Sequence, residues 1–109
     1  MKHEMLQMID EINSLTNKIS ELALQEEWSD ISELDETRNQ LLKKLYSSTD
    51  ELNEEDGAEL RQFTEELMSS IEETSRLAKD SRDKIRKEIK TISQSQVALS
   101  AYSKNLNAS

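Results

Sequence analysis

The stretch MKHEMLQMIDEINSLTNKISELAL, residues 1–24, decides the fold of this protein. Its apolar residues recur at alternating steps of four and three, at Met1, Met5, Met8, Ile12, Leu15, Ile19 and Leu22. A heptad pattern of this kind places one apolar seam along one side of a helix. The stretch therefore predicts a first helix over about residues 2–24.

The seam loses its phase near the end of this helix. Its next positions hold Glu26 and Ser29, whereas the next large apolar residue is Trp28. We therefore expect a short bend over residues 25–29, with Ser29 as the N-cap of a second helix over about residues 30–46. A continuous helix with a skip in the seam is the alternative.

Polar and capping residues over 47–56 predict a connection between helices. Either Ser48 or Asn53 is the expected N-cap of the next helix. Apolar spacing then predicts a long third helix over about residues 54–93. Serine and asparagine are frequent after it, so we expect only a short fourth helix around residues 96–104.

The composition agrees with an all-α fold. Proline is absent, glycine occurs once and aromatic residues make up 4% of the chain, so turns and strands have little to form from. The predicted architecture is an antiparallel helical hairpin or bundle of three long helices plus a short C-terminal helix. Residues 1–94 would form the bundle, and residues 95–109 the short helix or tail.

The net charge of −9 is spread unevenly along the chain. Residues 1–60 contain 5 basic and 16 acidic side chains, whereas residues 61–109 contain 9 and 7. The acidic first half should repel nucleic acid and anionic membranes. The basic stretch 76–90 is interrupted by acidic residues and lacks aromatic neighbours, so no nucleic-acid partner is expected. No apolar run resembles a signal peptide or a membrane span, which predicts a cytoplasmic protein without membrane insertion.

The residue types that catalysis requires are scarce. There is no cysteine, the single histidine is His3 among charged neighbours, and the single glycine, Gly57, excludes a glycine-rich phosphate loop. The paired glutamates are typical of solvated helix faces. The sequence therefore predicts no enzyme activity, no cofactor and no metal site.

Two residues are predicted structural anchors. Trp28 stands at the register break, where it either packs two helices together or contacts a bound partner. Arg38 occupies a seam position of the second helix, so its guanidinium either extends to solvent or pairs with a carboxylate of the third helix.

Two motifs carry a resemblance to a known family. The first is ELALQEEWSD, residues 21–30, followed by Leu34, Arg38 and LLKKL at 41–45; the second is ALSAY, residues 98–102. Together they resemble the FliT family of flagellar export chaperones. Members of that family often have glycine just before the Glu-Trp pair and after the Ala-Tyr pair, whereas this chain has Glu26 and Ser103.

The resemblance implies a cytoplasmic chaperone that holds the filament-cap protein FliD before secretion and passes it to the export ATPase complex. It further implies that a groove between helices captures an amphipathic segment of the client, with the last helix as a lid. The candidate partner-binding residues are Ile85, Ile89 and Ile92 in the groove, and Val97, Leu99 and Tyr102 in the lid. Deleting residues 95–109 would then strengthen client binding.

Two other hypotheses stay open from the sequence. The chain could be a structural coiled-coil subunit that dimerises through the heptad seam of its first helix. It could also be a related chaperone for hook-associated proteins, with a different client and the same chemistry. A homodimer is compatible with each of these hypotheses.

Overall fold

The computed structural model describes residues 1–50 and 52–108, with the side chains described through residue 104. Helix α1 spans His3–Leu24, a 3₁₀ turn spans Trp28–Asp30, α2 spans Ile31–Ser47 and α3 spans Glu54–Ala108. No strand occurs in the described part of the chain. The predicted all-α class is confirmed, as are the predicted start and end of α1.

The face that α1 buries is displaced from the predicted seam. Met5, Ile12 and Ile19 are buried as expected, and Thr16 and Ala23 are buried with them. The other four seam residues are half-buried: Met1, Met8, Leu15 and Leu22. At about 100° per residue the buried side chains fall within a sector of about 60°, which only partly overlaps the seam.

All three helices contribute to one hydrophobic core. Its buried members are Met5 and Ile12 of α1, Leu45 of α2, and Leu60, Phe63 and Leu67 of α3. Three of the seven seam residues of α1, Met5, Ile12 and Ile19, are thus buried within its own chain. Less apolar surface of the seam is then left for a second copy, and dimerisation through it stays a prediction.

The chain reverses direction between α1 and α2. Leu45, near the end of α2, joins the core with Met5, near the start of α1. Arg38 lies earlier in α2 and donates a hydrogen bond to Thr16, later in α1. Contacts in this order mean that α1 and α2 run antiparallel as a hairpin.

The predicted bend is confirmed, and its geometry is that of a Schellman motif. The amide of Glu26 donates to the carbonyl oxygen of Ala23 at 3.1 Å, and that of Glu27 to Leu22 at 2.9 Å. Glu26 has a φ of 57°, the left-handed conformation that this motif requires at its turning residue. Glycine adopts that conformation without steric cost, and other residues adopt it less readily.

The predicted cap of α2 is wrong. Ser29 lies inside the 3₁₀ turn, and α2 begins at Ile31 after Asp30, which makes no side-chain capping bond. The turn already supplies backbone hydrogen bonds of the type that a cap would satisfy. The second of the two proposed caps for α3 is confirmed, because Asn53 Oδ1 accepts a hydrogen bond from the Asp56 amide at 2.8 Å.

Helix α3 differs from its prediction at the C-terminal end. Instead of ending near residue 93 before a separate short helix, it continues without a break to Ala108. Serine and asparagine lower helix propensity by only tenths of a kcal/mol each, about 0.5 relative to alanine, and no proline or glycine follows Gly57. The boundary placed at residue 94 therefore falls inside a helix. The chain also divides into two compact units, Met1–Ala78 and Lys79–Ser109.

Candidate partner-binding surface

The second unit exposes large apolar side chains along α3. All six predicted partner-binding residues are at least 52% exposed: Ile85, Ile89, Ile92, Val97, Leu99 and Tyr102. In the first unit, by contrast, Leu60, Phe63 and Leu67 of the same helix are buried. One helix therefore presents a packed face in its first part and solvent-exposed apolar residues in its later part.

Helix geometry brings five of the six residues onto one side. At about 100° per residue, Ile85, Ile89, Ile92 and Leu99 fall within a sector of about 80°, and Tyr102 lies about 60° beyond one edge of it. Val97 points about 120° away from the middle of that sector. We call the five residues Ile85, Ile89, Ile92, Leu99 and Tyr102 the apolar stripe; Val97 does not belong to it.

The predicted groove and lid are not formed in this helix. The three groove residues and the three lid residues all lie on the uninterrupted helix Glu54–Ala108. Side chains on a single continuous helix cannot fold over one another, because a lid needs a chain reversal between the two parts. What the helix presents is one continuous stripe, in which Leu99 and Tyr102 extend the row of isoleucines.

Arg38, one of the two predicted anchors, is buried between α1 and α2 with 4% of its surface exposed. Its Nη1 donates to Thr16 Oγ1 at 3.2 Å, and its Nη2 donates to Asp35 Oδ1 at 2.8 Å. The carboxylate partner thus comes from α2 itself and not from the third helix, as one interpretation of the sequence had it. Arg38 Nε is buried without a hydrogen-bond partner among the described residues.

Thr16 was missed by sequence reasoning. Its Oγ1 donates to the carbonyl oxygen of Ile12 at 2.7 Å and so has a lone pair left for Arg38. A signal was present, since Thr16 follows a seam residue and stands four positions after Ile12, where a threonine hydroxyl can bond back to its own helix.

Trp28, the other predicted anchor, is the first residue of the 3₁₀ turn and is half-buried. In the chain it stands between the end of α1 and the start of α2. The packing role and a contact with a bound partner both stay predictions for this residue.

No group of three or more metal-ligating side chains occurs in the part of the chain that the structure describes. Over the same described residues, no helix is long and apolar enough to cross a bilayer. On the surface of α3, Arg76 Nε donates to Glu73 Oε2 at 3.2 Å, and this hydrogen bonding lowers the pKa of the Glu73 carboxyl.

Comparison with known proteins gives one match. The family model described as "Flagellar protein FliT" matches residues 6–104, which include the α1–α2 hairpin, the Arg38 contact and the whole apolar stripe. No curated protein and no solved structure matches the chain. The match extends over most of the chain and confirms the resemblance found in its two motifs. The chain therefore belongs to the FliT family, a family of flagellar export chaperones.

Proposed function

We propose that this protein is a cytoplasmic chaperone that binds the filament-cap protein FliD before secretion and delivers it to the export apparatus. Membership of the FliT family over residues 6–104 supports the flagellar role. The observation that carries the binding step is the apolar stripe, since its five side chains are exposed on a regular helix.

The stripe suits an amphipathic helix of the client. From Ile85 to Tyr102 it extends for about 25 Å at 1.5 Å per residue, which matches about five turns of a partner helix. Such a helix would lay its own apolar face along the stripe and remove both surfaces from water. Isoleucine has few rotamers, so little side-chain entropy is lost when these residues become ordered against a client.

A titration with matched variants tests the binding step. The full chain and its Ile89→Ser variant are each titrated calorimetrically with the terminal segment of the filament-cap protein. We expect Ile89→Ser to raise the Kd about tenfold or more, because it removes an apolar anchor from the middle of the stripe. Val97→Ser is the control, since Val97 is 70% exposed on the same helix but lies off the stripe. Equal losses in the two variants would contradict the stripe as the binding surface.

Deletion of residues 95–109 distinguishes the hypothesis of a continuous stripe from the hypothesis of a lid. A lid that competes with the client predicts tighter binding after the deletion, as the family resemblance implies. A continuous stripe predicts weaker binding, because Leu99 and Tyr102 are lost. The structure favours the second outcome, since both residues lie on the same helix as the isoleucines. The same titration, performed on the truncated chain, measures the difference.

Delivery and client choice need separate measurements. We expect the export ATPase to be retained on immobilised chaperone, and a quantitative pull-down with and without client measures that step. Titration with the terminal segments of hook-associated proteins tests the alternative client class. If one of those segments binds more tightly than the filament-cap segment, the client is a hook-associated protein. The stripe would then still be the binding site for that client.

A further inference from the structure

One side of the apolar stripe is bordered by basic residues. Lys79, Arg82, Arg86 and Lys90 are all exposed, and helix geometry places them within a sector of about 80° beside the isoleucines. We call these four residues the basic border. The opposite side of the stripe carries Lys84 and Glu88, of opposite sign, so it has no net charge of its own.

The charge is also confined to one end of the stripe. Residues 79–90 contain six basic and three acidic side chains, whereas residues 91–104 contain Lys104 as their single charged residue. Serines such as Ser93 and Ser100 take the border positions in this later part. A partner helix on the stripe would therefore meet Arg86 and Lys90 beside the isoleucines, and uncharged border positions over residues 91–103. Lys79 and Arg82 extend the basic border by fewer than two turns before Ile85.

From this asymmetry we infer what kind of segment fits the stripe. We propose that the occupant is an amphipathic helix of the client whose apolar face is bordered by aspartate or glutamate at one end and by uncharged residues at the other. This inference rests on the proposed function and adds the chemistry of its client. Opposite charges at the rim of an apolar contact steer the encounter and fix the register, so the basic border selects both partner and position.

A membrane surface is the other occupant that a basic amphipathic helix can have, and the arrangement of charges disfavours it. Helices that lie in anionic membranes carry lysine and arginine on the polar face around the apolar one. Here Glu88 stands at the edge of the stripe, and Asp80 and Asp83 precede it on the same helix. Carboxylates at those positions would be repelled by anionic headgroups.

The test uses two double variants of the full chain with equal change of charge. Arg82→Glu/Arg86→Glu reverses the charge of two of the four border residues, whereas Lys43→Glu/Lys87→Glu makes the same change at an exposed position of α2 and on the face of α3 opposite the stripe. Circular dichroism establishes that both variants keep the helix content of the wild type. Affinity for the filament-cap segment is then measured at about 50 mM and about 300 mM salt, since salt screens exposed charges.

We expect the border variant to raise the Kd roughly tenfold at the lower salt, because two exposed attractions become repulsions. The difference should shrink to less than about threefold at the higher salt, where the Debye length is shorter. The control variant should stay within about twofold of the wild type. A border variant that binds as tightly as the wild type at both salts overturns the inference.

A pair of designed peptides tests the inference independently of the client. Both are amphipathic helices with leucine at the heptad core positions, and one has glutamate where the other has glutamine along the border of its first three turns. We expect the chain to bind the glutamate peptide more tightly and the border variant to lose that preference. No preference in the wild type overturns the inference even if the filament-cap segment binds.

The remaining outcomes are also decisive. If the chain prefers the glutamate peptide and does not bind the filament-cap segment, the proposed client is wrong and the inferred chemistry stands. If it binds vesicles of half phosphatidylglycerol and half phosphatidylcholine, and neither peptide, the stripe is a membrane-binding surface and the inference fails.

Discussion

Thr16 and Arg38 are joined by a hydrogen bond of 3.2 Å across the interface between α1 and α2. The direction of this bond is fixed, because the single hydroxyl proton of Thr16 is donated to the Ile12 carbonyl oxygen at 2.7 Å. The Thr16 hydroxyl oxygen therefore accepts the hydrogen bond from the guanidinium of Arg38. Arg38 has only 4% of its surface exposed. The second partner, Asp35, is about half exposed on α2.

Replacing Thr16 by valine should destabilise the protein. The change keeps the shape of the side chain and removes the acceptor, which leaves a buried cationic donor unsatisfied. We expect the free energy of unfolding to fall by about 1–3 kcal/mol, measured by urea unfolding followed by circular dichroism. Thr37→Val is the matched control, because Thr37 makes the same bond to its own helix, to Glu33 O at 3.0 Å, but is exposed. A similar loss in the control would show that the bond to Arg38 is not the cause.

Replacing Arg38 by methionine should leave the stability unchanged or raise it. Methionine fills a similar apolar volume and removes a buried charge whose Nε has no hydrogen-bond partner among the described residues. Asp35 can return to water, and Thr16 keeps its bond to Ile12. In the double variant with Thr16→Val, the loss seen for Thr16→Val alone should therefore disappear. A loss of more than about 2 kcal/mol for Arg38→Met alone would instead show that the guanidinium stabilises the hairpin.

Replacing Glu26 by glycine should stabilise the bend. Glu26 has a φ of 57° at the turning position of the Schellman motif, where a Cβ atom is unfavourable. We expect a gain of about 1 kcal/mol, after allowance for the greater freedom of glycine in the unfolded chain. Thermal unfolding measures the gain. Glu26→Ala is the control, since it removes the same side-chain charge but keeps Cβ; an equal gain in that variant would assign the effect to charge.

The sequence predicts most reliably where a local pattern repeats. The seam of α1 repeats over three heptads, and its loss of phase locates the bend within residues 25–29. The hydrogen-bond partner of Arg38 on α1 could not be predicted, because its identity depends on which turn of α1 lies opposite Arg38. That partner is Thr16, a polar residue beside the seam. The end of α3 was misplaced because weak helix formers such as serine lower propensity without stopping a helix.

The binding surface shows the same division between local and non-local information. The placement of the three isoleucines on one helix face could be anticipated, because Ile85, Ile89 and Ile92 follow steps of four and three. Their grouping with Leu99 and Tyr102, and the separation of Val97, follow only if the helix is continuous through residue 97. A break near residue 94 would make those residues a separate element, and the groove-and-lid hypothesis depended on that break.

Replacing Asn53 by alanine should weaken the start of α3. Its Oδ1 accepts a hydrogen bond from the Asp56 amide at 2.8 Å and so satisfies one of the free donors of the first turn. We expect a loss of about 1 kcal/mol, measured by urea unfolding. Asn53→Asp keeps an acceptor of the same geometry and should retain most of the stability. If both variants lose the same free energy of unfolding, Asn53 stabilises the helix through something other than its side-chain oxygen.

Replacing Gly57 by alanine should stabilise the same turn. The Gly57 amide donates to Asn53 O at 2.9 Å in the ordinary helical arrangement, and a Cβ atom built at this position meets nothing within 4 Å. Alanine therefore fits without strain, and it restricts the unfolded chain more than glycine does. We expect a gain of about 0.5–1 kcal/mol in the free energy of unfolding. The reciprocal change at the next position, Ala58→Gly, should cost about the same, because Ala58 is exposed in the same turn. A loss on Gly57→Ala would mean that the first turn of α3 needs a freedom that only glycine provides, and the helix would then begin later than Glu54.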